Sequence, residues 1–469
     1  MSKLADNPYK DNLAVKTNDY EIKPPGSAHL HMELATIFML GAIDKYLKDD
    51  GQWMFVMPGS LLSGYNHEPL RDEKYRNAAN PVEARVDTIW ELPINVFKNK
   101  AIVLGGTKSE NGNPNVIAGR LYTYKNQYDK CEYKLKKQGK RSCWTNNDDN
   151  VIDLINCDAI RVSQGADVFP RTALFHKYTQ QANGTWDIEA IEKTSDLYYL
   201  ISESKKDICN TLSASGFSND FMYDCFISKH LSPFFVADPA KVLLPGYKDD
   251  GSWKAINSGK LATMNAATKY VFDEISSKTG LSLDVLFNDK IDIYNKLKNQ
   301  KFSLGKWMVL SSAGGGNPCA AYIKLDNYDR EKLIIDQTLY WYISDSEDEA
   351  IYITGLVNSI SMGKAIEDFQ PEGAFGKRHI HTLPFKIIPK YDDANDAHIK
   401  VVEMTKAVIK EWYKICDSDE TISKTLNPNS GNLPSRRKKQ QSALRKTASY
   451  MEYERSCSDV LGLDLEIIY

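Results

Sequence analysis

Apolar positions crowd together near the start of the chain. Residues 28–47 carry Leu30, Met32, Leu34, Ile37, Phe38, Met39, Leu40, Ile43 and Leu47 nearly all round the wheel, which predicts a helix buried on more than one side. Pro24-Pro25-Gly26 marks its start, Ser27 suits its N-cap and Gly51 its C-terminal cap. Trp53-Met54-Phe55-Val56-Met57 is unbroken apolar, the composition of a strand covered on both faces as in a parallel sheet, and predicts a strand over 52–58. Strands are expected over 86–92 and 101–105, joined through the turn Ile94-Asn95-Val96-Phe97. This run has the form of the second half of a nucleotide-type α/β sheet. A glycine loop able to hold a cofactor normally comes before such a run, and residues 1–27 contain none.

Patterning weakens further on. Residues 108–230 mix turns with short predicted strands at 116–124, 159–162 and 171–177, and the lysine-rich stretch 126–149 reads as an exposed loop. Strands follow at 307–312 and 333–343, the second rich in aromatic and β-branched residues. A helix is predicted over 350–369 from Leu356, Val357, Ile360, Ile366 and Phe369. Residues 391–469 are expected to be helical, with Val401, Val402, Met404, Val408, Trp412 and Ile415 on one face. A polar linker, 427–434, leads to the basic run Arg436-Arg437-Lys438-Lys439. No internal repeat is present.

Composition narrows the class. A chain of 469 residues accommodates two or three domains, and 42% hydrophobic with 26% charged residues describes an ordinary globular protein. No apolar run approaches the roughly 18–20 residues that span a bilayer, and no signal-peptide core follows Met1, so no membrane association is expected. The eight cysteines never form a C-x-x-C pair, which argues against a disulfide scaffold and structural zinc and points to a reducing cytoplasm. With a net charge of −3, any DNA contact must come from local patches.

Candidate chemistry is sparse. Gly314-Gly315-Gly316 after a strand could cradle phosphate, but no Gly-Lys-Ser/Thr follows, and an ordinary turn explains it as well. His29-x-His31-x-Glu33 lacks the H-E-x-x-H spacing, and His31 would point away from His29, so no metal site is expected. No G-x-S-x-G elbow exists.

A series of strings, in order, resembles the adenine-specific (N6) DNA methyltransferases of restriction-modification type, in the branch whose target-recognition region follows the catalytic domain. His31-Met32-Glu33-Leu34-Ala35 through Phe55-Val56-Met57-Pro58-Gly59-Ser60 is similar to the helix and strand after that family's catalytic loop. His67-Glu68-Pro69-Leu70-Arg71 is similar to the next helix, and Ile94-Asn95-Val96-Phe97 ahead of Ala101-Ile102-Val103 to a late element. Gly119-Arg120-Leu121, Gln164-Gly165-Ala166 with Pro170-Arg171, residues 313–321 and Ile335-Asp336-Gln337-Thr338-Leu339-Tyr340-Trp341-Tyr342 resemble segments of the recognition region. The most specific string is Gly373-Ala374-Phe375-Gly376-Lys377-Arg378-His379-Ile380-His381, with Pro384-Phe385 after it. The resemblance runs over about residues 20–415. Two family elements have no counterpart. The glycine-rich cofactor loop is absent, since Gly105-Gly106 comes after the last strand of the set. The Asn-Pro-Pro-aromatic motif is also absent: Asn7-Pro8-Tyr9-Lys10 lacks one proline and the apolar strand that should present it, and reads as an N-terminal turn.

The resemblance implies an α/β fold in three parts: the last strands of a Rossmann-like methyltransferase sheet (1–107), a mixed α/β target-recognition region (108–390) and a C-terminal helical segment with the basic run (391–469). It implies methyl transfer from S-adenosylmethionine to N6 of adenine. The target base is flipped from the stack at a cost of a few kcal/mol. It also implies that this chain is catalytically incomplete, with a partner polypeptide supplying the catalytic motif and most contacts to S-adenosylmethionine. Candidate site residues are Phe97, as a wall against the flipped base or else a core phenylalanine, and Pro58, Gly59 and Ser60 at the carboxyl end of their strand, where open α/β sheets place ligands. Candidate contacts to double-stranded DNA are Gly373, Gly376, Lys377, Arg378, His379 and His381, then Arg171 and the loop Gly314, Gly315, Gly316, Asn317. Arg436, Arg437, Lys438 and Lys439, with Arg445 and Lys446, could track phosphate or form a solvated basic helix. Three functions stay open: the recognition half of a split methyltransferase, a non-catalytic DNA-binding or assembly protein derived from one, or an unrelated α/β enzyme. The inner edge of the partial sheet separates the first two. A split subunit leaves it open for its complement, whereas a free-standing protein covers it, for instance with residues 1–27.

Overall fold

The computed structural model describes residues 7–23, 34–93, 96–97, 99–123, 127–138, 141–147, 160–202, 212–302, 304–314, 318–370, 372–373, 376–377 and 382–463. Its first layer is a six-stranded mixed sheet of β1 (Gln52–Pro58), β2 (Ala84–Glu91), β3 (Ala101–Lys108), β4 (Val116–Tyr122), β5 (Tyr128–Gln138) and β6 (Arg141–Thr145), in the order β1-β3-β2-β4-β5-β6. Strand β3 lies antiparallel between β1 and β2, so those two run parallel to each other, and β4 joins parallel to β2. The close fit of β3 needs glycine: a Cβ on Gly106 would collide with the Arg85 carbonyl and the Trp53 ring. Helix α2 (Leu34–Tyr46) covers one face through Met39, Leu40 and Ile43, against Trp53, Met57, Ile89, Ile102 and Leu104. Helix α1 (Asn7–Asp19) starts with Pro8 in its first turn, a position where proline's missing N–H has no cost. It leads to the buried Tyr20 and Ile22 on the same core.

Several expectations change here. The lysine-rich stretch 126–149 is not a loop: it contains β5 and β6, which pair over 134–145. Lys130, Glu132 and Lys134 point to one side of β5, while Cys131 and the buried Tyr133 point to the other, so a half-covered strand is written in charged residues. The first sheet therefore runs on past residue 107. Strand β1 is not covered on both faces either. Met54 and Val56 are 51% and 56% exposed, and β3 is its one partner strand among the described residues. Residues 171–174 form a helical turn, not a strand.

The second layer is an antiparallel sheet in the order Ala320–Lys324, Trp307–Ser312, Leu339–Ser344, Ser163–Gln164. The helix expected over 350–369 is broken at Ser359 into α3 (Glu347–Asn358) and α4 (Ile360–Ile366). Ser359 caps α4 by accepting from the Met362 amide, and the buried Glu454 carboxylate accepts from the Ile360 amide at 2.9 Å. The amphipathic helix α5 (Asp396–Ser418) seats Val401, Val402, Val408 and Trp412 against α3, with Met404 and Ile415 partly buried beside them, as its spacing requires. Helices α6 (Glu420–Leu426), α7 (Leu433–Leu444) and α8 (Tyr450–Leu461) complete that core. Among the described residues no helix is long and apolar enough to cross a membrane.

Trp412 is among the largest fully buried side chains. Trp412→Ala is expected to lower the unfolding free energy of the C-terminal core by about 3–5 kcal/mol, read from urea denaturation. A loss below about 1 kcal/mol would mean that α5 does not anchor that core.

Candidate functional site

A cleft of about 460 Å³ opens at the carboxyl end of β1. Its floor is Gly59 and Ser63 from the turn after β1, Glu91 from the end of β2 and Lys100 ahead of β3; Thr145 and Asp368 form the far wall. The turn approaches β3 closely: the Gly59 amide donates to the Lys100 carbonyl at 2.9 Å, and a Cβ there would lie 2.9 Å from Lys100 Cγ. Gly59 is thus required by contact, and the chain follows with one 3-10 turn, Gly59–Leu61.

A buried guanidinium holds this turn. Arg71 donates to the Leu61 carbonyl at 2.7 Å, to the Gly64 carbonyl at 2.8 Å and, through Nε, to Ser142 Oγ at 3.1 Å. Burial lowers its pKa to about 10, which leaves it charged at neutral pH. Beside it Arg141 pairs with Glu68 at 3.0 Å and lies over the Tyr65 ring at 4.4 Å. Burial raises Glu68 to about 7, against the pull of Arg141 and Arg71. His67 is pushed down to about 4 by burial, helped by Arg71, and its Nε2 lies 3.4 Å from Ser60 Oγ.

Within the cleft Glu91 is clamped. Its carboxylate accepts from the Tyr133 hydroxyl at 2.6 Å and pairs with Lys100 at 2.7 Å. Burial, then the Glu91 charge, raises the Tyr133 phenol above its ordinary range, so it stays a donor. Across the cleft Lys136 of β5 pairs with Asp368 at 2.8 Å, and Thr145 donates to the same carboxylate at 3.2 Å. These bonds join the first sheet to the end of α4. Glu372–Gly373, paired in a backbone hairpin with Gly376–Lys377, lies against the Gly59–Leu61 turn. Two segments more than 300 residues apart, both expected at the site, meet here.

Placement of the other expected residues is uneven. Phe97 is 47% exposed in the turn between β2 and β3, so it is not a core phenylalanine. Arg171 is buried and pairs with Asp336 at 3.3 Å, an internal task that removes it from any DNA surface. Arg436 and Arg437 are buried too. Arg436 donates to the carbonyls of Thr425, Lys229, Pro428 and Leu426, and Arg437 to those of Ser228 and Leu231. They fasten α7 to the 228–231 turn and do not track phosphate. Lys438 and Lys439 remain exposed on α7, as does Gly314 on its loop. Gly315, Gly316, Asn317, Arg378, His379 and His381 lie outside the described residues, as do His29, His31 and Glu33. Among the described residues no cluster of three or more His, Cys, Asp or Glu could hold a metal. The residues missed from sequence, Glu91, Lys100, Tyr133 and Asp368, come from four separate segments, and only their strand-end positions hint at convergence.

No family model matches the chain, and no curated protein matches it in sequence. Its fold matches that of the type IIL restriction-modification enzyme MmeI, solved in complex with DNA, with a TM-score of 0.55 at 10% identity, over 98% of this chain and 52% of that one. The type IIG restriction endonuclease BpuSI aligns over 98% of this chain and 53% of its own at 13% identity, but a TM-score of 0.26 gives that superposition no weight. The chain spans about half the length of these two proteins. What the match with MmeI establishes is the fold.

His67 offers a direct check on the floor of the cleft. Its value lies below the ordinary 6.5, so the stability it contributes is complete above about pH 6.5 and lost as pH falls through about 4. Glu68 runs the other way, its share being lost as pH rises through about 7. An NMR titration is expected to show the His67 imidazole neutral down to about pH 5. A midpoint near 6.5 would mean that the turn is open to water.

Proposed function

We propose that this chain is the target-recognition half of an S-adenosylmethionine-dependent, site-specific DNA adenine-N6 methyltransferase of a restriction-modification or phage-defence system. It acts with a partner polypeptide that carries the cofactor loop and the Asn-Pro-Pro-aromatic motif. The observation that carries this reading is the meeting of the Gly59–Leu61 turn with the 372–377 hairpin, on a fold that matches a DNA-bound restriction-modification enzyme over nearly the whole chain. Phe97, exposed in the turn between β2 and β3, is free to serve as an aromatic wall. Double-stranded DNA is the expected partner, with Lys377, Arg378, His379 and His381 following the glycines of the hairpin as its nearest contacts.

The residues of this chain do not fit S-adenosylmethionine by themselves. The segment between β1 and the four-residue helix Glu68–Arg71 has two glycines, Gly59 and Gly64, five residues apart and with no Gly-x-Gly run, and among the described residues no other strand of the first sheet leads directly into a helix. This chain would orient DNA, wall the flipped base and fix the polar groups at the sheet's end. The second reading, a non-catalytic DNA-binding or assembly protein, is favoured by the same missing elements. The outer edge of β1, which no strand covers among the described residues, speaks against it, because a free-standing protein gains nothing from a bare apolar edge.

Labelled S-adenosylmethionine and duplex DNA are expected to give no methyl incorporation with this chain alone. Fluorescence anisotropy should show salt-dependent duplex binding. Lys377→Ala with Arg378→Ala should weaken it roughly tenfold or more and reduce the salt slope by about 2. Methylation by the chain alone, or no duplex binding at low salt, would overturn the proposal.

A further inference from the structure

The two edges of the first sheet are treated differently. At the β6 edge the Trp144 amide donates to the Leu62 carbonyl at 2.8 Å, and the end of α4 is tied on through Asp368. At the other end β1 pairs with β3 along its full length, Gln52 to Pro58, and among the described residues no strand pairs with its outer side. Edge strands are ordinarily guarded by charge, by a bulge or by proline within the strand. Here Gln52-Trp53-Met54-Phe55-Val56-Met57 carries no charge, its register with β3 is unbroken, and its proline stands at the end.

Among the described residues both flanks of this edge are apolar and uncovered. On one face of the sheet Met54 and Val56 are more than half exposed. On the other, Phe38 of α2 is 69% exposed and meets Phe55 edge-on at 6.2 Å between ring centres. A strand apolar on both faces, beside a helix that also exposes an aromatic ring, has the chemistry of an interior strand in an edge position.

We infer that the outer edge of β1 is the seat of a second, different polypeptide of α/β type, which pairs a strand with β1 and covers Met54, Val56 and Phe38. This rests on the proposed function, since the partner envisaged is the one that carries the S-adenosylmethionine loop. Two observations favour such a partner. The MmeI chain that shares this fold is about twice as long, so the fold occurs joined to further polypeptide of similar size. The edge also lies in the same strand that ends at the Pro58-Gly59 turn, so a strand added there would bring its own loops to the cleft.

The test uses the full chain and, as probe, a polypeptide from the same genome that contains the glycine-rich donor loop and the Asn-Pro-Pro-aromatic motif. The two are co-expressed, then titrated by isothermal calorimetry and followed by hydrogen exchange. A 1:1 complex is expected in which the amides of 52–58 become protected. Val56→Lys should weaken association roughly thirty-fold or more, the scale of a charge at an interface centre. That variant should leave the thermal unfolding of the isolated chain unchanged, because residue 56 is exposed in it. Full-strength binding by Val56→Lys with 52–58 unprotected would place the interface elsewhere and overturn this inference, while leaving the proposed function standing. Association of two copies of this chain through β1 would overturn it as well. Absence of any complex would overturn both.

Discussion

The cleft depends on one buried guanidinium. Arg71 ties the carbonyls of Leu61 and Gly64 to Ser142 of β6, so a single charged group fixes the turn after β1 to the far edge of the sheet. A buried arginine is tolerated only when its donors are satisfied. Three of them reach acceptors within 3.1 Å, and Glu68 lies beside it with Arg141 as its own partner. With the turn fixed, Gly59 can approach Lys100, Glu91 faces the opening, and the 372–377 hairpin has a surface to rest on. The chemistry gathered at the opening is that of positioning. One carboxylate is clamped between a phenol and an ammonium, and a serine lies 3.4 Å from a buried histidine.

The second constraint is the join between the layers. Lys136 and Thr145 from the lysine-rich hairpin meet Asp368 at the end of α4, and through α4 the C-terminal helices are tied in by Glu454. A change at the Glu372–Gly373 strand can be felt at the Gly59 turn without long transmission, since the two lie directly against each other. The basic residues at 436–437 belong to this internal framework.

Legibility in the sequence followed the strength of the physical signal. The strand at 307–312 and the periodic face of α5 could be read because burial dictates their side chains, and β1 because its run is unbroken apolar, although Met54 and Val56 are exposed. The hairpin of β5 and β6 was hidden because its exposed face is nearly all lysine and glutamate; alternation, with Cys131 and Tyr133 turned inward, was the signal, and bulk composition masked it. The burial of Arg171, Arg436 and Arg437 could not be foreseen. A run of basic residues looks the same whether it meets phosphate or a ring of carbonyls, and here the carbonyls come partly from residues 425–428 and partly from the 228–231 turn, 206–209 residues away, while Arg171 meets the carboxylate of Asp336. Of the site, the Pro58-Gly59-Ser60 turn and the hairpin glycines were legible as motifs. Their meeting, and the Glu91–Tyr133–Lys100 group between them, belongs to tertiary structure.

The claim at the centre is that DNA is handled where the first sheet meets the 372–377 hairpin. Hydrogen exchange of the whole chain, with and without a saturating cognate duplex, measures this most directly. Slower exchange at both Gly59–Leu61 and 372–377 is the result the account predicts. Protection confined to the C-terminal helices, with the turn and the hairpin unchanged, would contradict it.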